Sequence, residues 1–223
     1  MLFLAVFCGF LAEYQLEHKI ERNREKQFMV SMIEDLKADT SAISILNEQR
    51  IGRLGMYDSL SNSIIEKKYA GSGSDFYYWG RNISRRAFFF SADGTMQQLK
   101  NSGGLRLIRK RNAADSIIIY DAKVSTLEKL EQRETNYVDF CLPPTYRILD
   151  GLIYDKMIYD ETEIRKPDSN PALLNTALQA LPEFNLTLHN VKSVNRIYRK
   201  NAIELLQAAI QLINTLKKEY KLE

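Results

Sequence analysis

Residues 29–64, MVSMIEDLKADTSAISILNEQRIGRLGMYDSLSNSI, decide the fold class. Apolar or small residues recur at 29, 33, 36, 40, 43, 46, 50, 54, 57, 60 and 64, with Thr40 and Arg50 the weakest members. Steps of three and four put these positions on one side of a helix, so the segment reads as a long helix facing partner helices. Gly52 and Gly55 weaken its later part and mark a candidate kink. Toward the N-terminus the stripe fades. The run ERNREKQ over 21–27 has no apolar residue. It reads as a solvated helical stalk steadied by mixed-sign neighbours such as Glu21 and Arg24.

Before the stalk, LFLAVFCGFLA over 2–12 is uninterrupted apolar or small, and EYQLEHKIERNREKQ over 13–27 is charge-dense. An apolar plug running directly into a charged helix is how a membrane anchor leaves a bilayer. Eleven helical residues rise only about 16 Å against a hydrocarbon core of about 30 Å. Three readings therefore compete. In the first, Met1 is an internal start and part of a transmembrane anchor is missing. In the second, the segment is a signal peptide, against which stand the lack of a basic n-region and the large Phe10 and Leu11 near any cleavage site. In the third, it is a core helix of a soluble protein, which leaves its missing polar face unexplained. The truncated anchor fits best.

Composition bounds the rest. The 223 residues suit one medium domain with an anchor, and the 45% hydrophobic and 26% charged fractions are those of a globular chain. Five prolines and ten glycines argue against a loop-dominated fold. The net charge of +3 is too small to demand a polyanion. Two cysteines, Cys8 in the plug and Cys141 at a helix end, are no disulfide framework.

Downstream, Gly71-Ser72-Gly73-Ser74 ends the long helix, and an aromatic-dense stretch holds Phe76, Tyr77, Tyr78, Trp79, Phe88, Phe89 and Phe90. Core packing is the expected role of Phe76–Trp79, a membrane-interface belt the alternative. Thr95 and Gln98 form a capping box for the short helix TMQQLKN, with Gly103 suited to its left-handed cap. Leu105 to Arg111 is a further helical turn. Asn112 and Asp115 cap a third helix, which runs to about Cys141 before Pro143-Pro144 break it. Tyr146 to Glu163 is helical, with Ile148, Leu149, Leu152, Ile153 and Met157 buried. Ala172–Leu181 is a short helix ending at Pro182, Phe184–Asn190 is irregular, and Lys192–Leu222 is the last long helix. The latter carries two apolar stripes, 194/197/201/205/208/212/216 and 203/206/210/213, and should pack between neighbours. The expected architecture is all-α: an anchor over 1–12, a stalk over 13–27 and a long-helix bundle over 28–223.

The segment FFFSADGTMQQLKNSGGLRLIRKRNAADSIIIYDAKV, with Glu21, Arg24, Glu25, Asp35-Leu36-Lys37 and Asp39 before it, resembles a family of uncharacterised membrane-anchored proteins of Bacteroidota. The shared stretch is T-x-x-x-L-x-x-S-G-x-L-x-L-I, here Thr95, Leu99, Ser102, Gly103, Leu105, Leu107 and Ile108, followed by Ile117 and Tyr120. The likeness covers roughly residues 1–125. This chain departs by its short anchor and by lacking the basic segment that normally precedes it. The resemblance implies a single-pass protein of the bacterial inner membrane and supplies no catalytic residues. Sidedness is contested: the family's basic leader points to an exported domain, whereas His18, Lys19, Arg22, Arg24 and Lys26 after the plug argue for the cytoplasmic side.

Chemistry-bearing motifs are scarce. Cys8, Cys141, His18 and His189 have no ligand spacing, neither histidine has Glu three residues before it, and G-x-S-x-G and Gly-Lys-Ser/Thr are absent. No cofactor, metal or enzymatic activity is expected. His18 reads as a stalk residue, His189 as a loop or helix-entry residue, and the carboxylates Asp35, Asp39, Asp155, Asp160 and Glu161 as solvated helix faces. The working surface is the glycine corner with its basic cluster: Thr95, Ser102, Gly103, Arg106, Arg109, Lys110 and Arg111, with Arg85 and Arg86 upstream. In the first functional reading it belongs to a non-enzymatic, sensor-like interaction module that meets a protein partner in the cell envelope. In the second, the protein is soluble or peripheral, and residues 102–111 bind nucleic acid or a phosphate-bearing ligand. The overall charge balance disfavours nucleic acid.

Overall fold

The computed structural model describes residues 2–160, 163–176 and 179–222. Among these residues there are six α-helices and no strand, apart from one isolated antiparallel bridge between Ile158 and Ile164. The all-α expectation holds. The helices are α1 (Leu2–Ile65), α2 (Gly73–Asn82), α3 (Gly94–Asn101), α4 (Arg111–Ile148), α5 (Gly151–Lys156) and α6 (Ala180–Tyr220). Single 3-10 turns span Tyr69–Gly71 and Gly104–Leu107. Among the described residues, no helix is long and apolar enough to cross a membrane.

The 64-residue α1 runs unbroken through Gly52 and Gly55. Its stripe is the buried side: Met29, Ile33, Leu36, Ile43, Leu46, Tyr57 and Leu60 are all at most 5% exposed. It stops at Ile65, before the glycines expected to stop it. The Lys68 N–H reaches back to Ser63 O (2.9 Å) and the Lys67 N–H to Ile64 O (3.2 Å), with Lys67 at φ 56°. This is a Schellman cap built on a lysine, a residue that carries no sequence signal for it. The same device closes α6: Lys221 has φ 49° and the Leu222 N–H bonds Lys217 O at 3.0 Å.

Prolines expected to break helices do not. Pro143 and Pro144 lie inside α4. They remove the N–H groups that Asp139 O and Phe140 O would accept, and both of those residues are exposed, where water can replace the lost donors. Thr145 Oγ1 adds a bond to Cys141 O at 2.7 Å. Pro182 sits in the first turn of α6, where a missing N–H would be orphaned anyway. Consequently Phe184–Asn190 is helical, His189 is an exposed α6 residue rather than a loop residue, and residues 171–176 are not helical. The segment after Ile148 is likewise not one helix. Asp150 caps the short α5 by accepting from Leu152 N at 2.9 Å, and Leu152 is exposed. Glu161, one of the carboxylates singled out above, lies outside the described residues.

The chain forms two compact units. One comprises Met1–Ser44, Phe90–Val124 and Glu204–Glu223, the other Ile45–Phe89 and Ser125–Ile203. Buried apolar residues of the first come from four helices: Met29, Met32, Ile33, Leu36 and Ile43 of α1, Met96 and Leu99 of α3, Ile117 and Tyr120 of α4, and Leu205, Leu212 and Leu216 of α6. In α6 the first expected stripe is buried at Val194, Leu205, Leu212 and Leu216 but not at Ile197, which is exposed, and Ile210 of the second is exposed.

The second unit has an aromatic-rich core that includes Tyr57, Phe76, Tyr77, Ile83, Val138, Ile148, Phe184 and Leu188. The aromatic stretch therefore serves this core through Phe76 and Tyr77, on α2. A Cβ on Gly73, at the start of α2, would lie 1.7 Å from Pro171 O, so only glycine permits that approach of backbone to backbone.

Candidate functional site

The glycine corner lies in the first unit. Its capping differs from expectation. Asp93, not Thr95, is the N-cap of α3, and its carboxylate makes no capping bond; its Oδ2 instead accepts from the Gln97 side-chain Nε2 at 3.0 Å. The Thr95 N–H is instead held by Asp35 Oδ2 at 3.0 Å, from α1. Thr95 itself is buried at 5% exposure and does not belong to an open surface. Ser102 Oγ donates to Gln98 O at 2.6 Å. Gly103 has φ 66°, as its sequence position suggested, and a Cβ there would stand 3.0 Å from Arg106 Nη2. The chain then forms a 3-10 turn over Gly104–Leu107 and reaches α4.

The basic cluster divides into two kinds. The Arg109 guanidinium donates to Glu21 Oε2 at 2.6 Å and meets His18 Nδ1 at 3.2 Å, while the Arg109 N–H donates to Glu25 Oε1 at 2.8 Å. Arg111 Nε lies 3.7 Å from Asp115 Oδ2, an exposed pair four residues apart. Arg106 and Lys110 are exposed. Asn112 does not cap α4; its Nδ2 reaches Glu219 Oε1 at 3.1 Å.

The stalk is not wholly solvated. Glu25, expected in water, is 4% exposed and also accepts from the Tyr220 hydroxyl. Burial, then the bond to Glu25, push that phenol well above its usual range.

The carboxylates read as solvated faces include the best-built polar site of this unit. Asp39 is 2% exposed. Its Oδ2 accepts from Ser91 Oγ at 2.9 Å and from Tyr120 OH at 2.5 Å, and its Oδ1 from Ala92 N at 2.7 Å. One aspartate of α1 thus fastens both α4 and the irregular segment before α3. The Tyr120 hydroxyl is driven up, first by burial and then by its bond to Asp39. Three accepted bonds, all from donors that stay protonated at neutral pH, suit a structural carboxylate.

A second network lies in the other unit. Arg50, the weak member of the α1 stripe, is 1% exposed. Its Nη2 donates to Glu134 Oε2 (2.9 Å) and Ala87 O (3.0 Å), and its guanidinium carbon stands 3.4 Å from the Tyr198 ring centre. Glu131 Oε1 accepts from Phe89 N at 2.9 Å and from Tyr198 OH at 2.5 Å. Burial, before that bond, raises the Tyr198 phenol. Helical periodicity placed Arg50 on the buried face, but nothing local in the sequence named Glu134 as its partner.

Among the described residues, no group of three or more His, Cys, Asp or Glu side chains could hold a metal ion. Cys8 is exposed, and Cys141 is buried beside Thr145 and Thr187, its thiol pushed up by desolvation. No protein-family model matches the chain, and neither a curated protein nor a solved structure matches it.

Proposed function

We propose that the protein is a membrane-attached, non-enzymatic helical interaction module. The observation that carries this reading is the surface of α1 near its start. Phe3, Val6, Phe7, Phe10, Leu11 and Tyr14 are all exposed, Phe3 by 83% and Phe10 by 68%. At 100° per residue they share an apolar face about 140° wide. Helical residues 2–12 rise about 16 Å, roughly one leaflet of a hydrocarbon core about 30 Å thick. Burying such side chains yields about 1.5–3 kcal/mol each. Insertion into a bilayer therefore answers an exposure that water penalises, and the charged residues from Glu13 onward then meet the headgroups.

Interaction with a partner protein falls to the corner around Gly103, where Arg106 and Lys110 are exposed. The alternative, recognition of nucleic acid or a phosphate-bearing ligand by residues 102–111, is less favoured because Arg109 and Arg111 already face Glu21 and Asp115. On the resemblance described above, the membrane is the bacterial inner membrane and the helical domain lies on its outer side.

The test is co-sedimentation with neutral phosphatidylcholine vesicles, read together with maleimide labelling of Cys8. The chain should pellet with vesicles, Cys8 should become protected, and Phe7→Glu with Phe10→Glu should abolish both effects. A chain that remains in the supernatant with Cys8 labelled at an unchanged rate ends the membrane reading. Protease accessibility in spheroplasts tests the side.

A further inference from the structure

A surface cleft of about 400 Å³ in the second unit is walled by Gly52, Arg53, Met56, Tyr78, Arg85 and Arg86, with Gln49, Asn82 and Ala87 completing it. Three of these nine residues are arginines and none is acidic. The guanidinium of Arg53 is fixed by neutral acceptors. Its Nη2 donates to Tyr57 OH at 2.6 Å and Ile83 O at 3.0 Å, and its Nη1 to Asn82 O at 3.4 Å and to Arg85 O. These bonds hold the side chain in place and leave its charge uncompensated by any of them. Arg86 is half-buried, 5.2 Å from the Phe88 ring centre, and its Nε and Nη1 are shielded from solvent with no hydrogen-bond partner. A shielded, charged donor without an acceptor is costly; unlike the Arg50 nitrogens, which are enclosed in the core, those of Arg86 border an open cleft where an occupant can bring the acceptor.

The occupant must supply acceptor oxygens and negative charge. Several arginines without a lining carboxylate favour a doubly charged anion over a single carboxylate, and the forked guanidinium suits the oxygens of a phosphoryl group. Met56 and Tyr78 add an apolar and aromatic wall for whatever carries that group. We propose that this cleft binds a phosphoryl oxyanion, borne by a small soluble phosphomonoester or by a phospholipid headgroup, with Arg86 as its principal donor and Arg53 as a fixed positive charge. The site is separate from the glycine corner and does not depend on the membrane reading above.

The test uses the full chain, titrated calorimetrically at low salt with inorganic phosphate and phenyl phosphate. It is repeated by co-sedimentation with phosphatidylcholine vesicles doped with phosphatidic acid, against undoped vesicles. Saturable binding of the soluble phosphates, weakened by salt and by about tenfold or more in Arg86→Gln, supports a soluble ligand. Enhanced capture by doped vesicles alone, lost in the same variant, supports a headgroup. Arg106→Gln should leave either binding unchanged. Thermal melts establish that Arg86→Gln folds; if it does not, Gly52→Phe, which adds bulk at a cleft-lining position where a Cβ meets nothing within 4 Å, serves in its place. The proposal is overturned by the absence of saturable binding to every probe. It is equally overturned if affinity is undiminished in a folded cleft variant, or is lost on replacing Arg106 instead.

Discussion

Asp39 shows how one side chain organises its surroundings. It draws Ser91, Ala92 and Tyr120 onto α1 with three hydrogen bonds while almost fully shielded from water. Asp39→Ala removes every acceptor at once and leaves up to three shielded donors bare, each at about 1–3 kcal/mol. The expected loss is therefore about 3 kcal/mol or more in denaturant unfolding. Tyr120→Phe removes a single donor and leaves Asp39 with its other two bonds, so it should cost about 1 kcal/mol. Equal losses in the two variants would refute a network centred on the aspartate. Arg50 has the same character but a less complete shell, since its Nε and Nη1 lack partners while Nη2 bonds Glu134 and Ala87. It is held as much by the Tyr198 ring as by its ion pair, because the Coulomb gain of a buried pair is largely spent on desolvation.

At the scale of the element, helix ends decide more than helix interiors. Both long terminal helices close on lysines in the left-handed region, Lys67 and Lys221. A side chain there costs about 1–2 kcal/mol, whereas glycine adopts the conformation freely at a smaller entropic cost. Lys67→Gly should raise stability by roughly 0.5–1 kcal/mol without changing helix content by circular dichroism. A loss of stability would mean that the lysine side chain contributes more than its backbone costs. The prolines make the complementary point. Pro182 and the Pro143-Pro144 pair cost little where they stand, because the carbonyls or amides they affect lie in a first turn or beside exposed residues.

For the whole molecule, buried phenols set the alkaline limit. Tyr120, Tyr154, Tyr198 and Tyr220 are all raised above the ordinary value of 10.0, each chiefly by desolvation. A group raised in the folded state binds its proton more tightly there than in the unfolded chain. Its contribution is thus complete below about pH 10 and is lost as the pH climbs toward the folded-state value. Thermal stability should be flat near neutrality with respect to these groups and should fall steadily above about pH 10. A melting temperature that holds constant from pH 9 to 11.5 would contradict the burial of these hydroxyls.

The all-α class, the buried face of α1 and the left-handed Gly103 follow from the sequence alone, because periodicity and glycine's backbone freedom are local properties. The apolar character of the start of α1 is equally a property of composition, whereas its exposure is decided by the tertiary structure. So are the partners of the buried charges. Asp39 with Tyr120, Glu25 with Tyr220 and Arg50 with Glu134 are separated by 81, 195 and 84 residues, and only the packed helices bring them together. A carboxylate on a helix looks solvated until a distant donor covers it. The helix ends at Ile65 and the passage of α4 through two prolines were settled in the same way. There the local preference amounts to about 1–3 kcal/mol, which hydrogen bonding, hydration and packing together can outweigh.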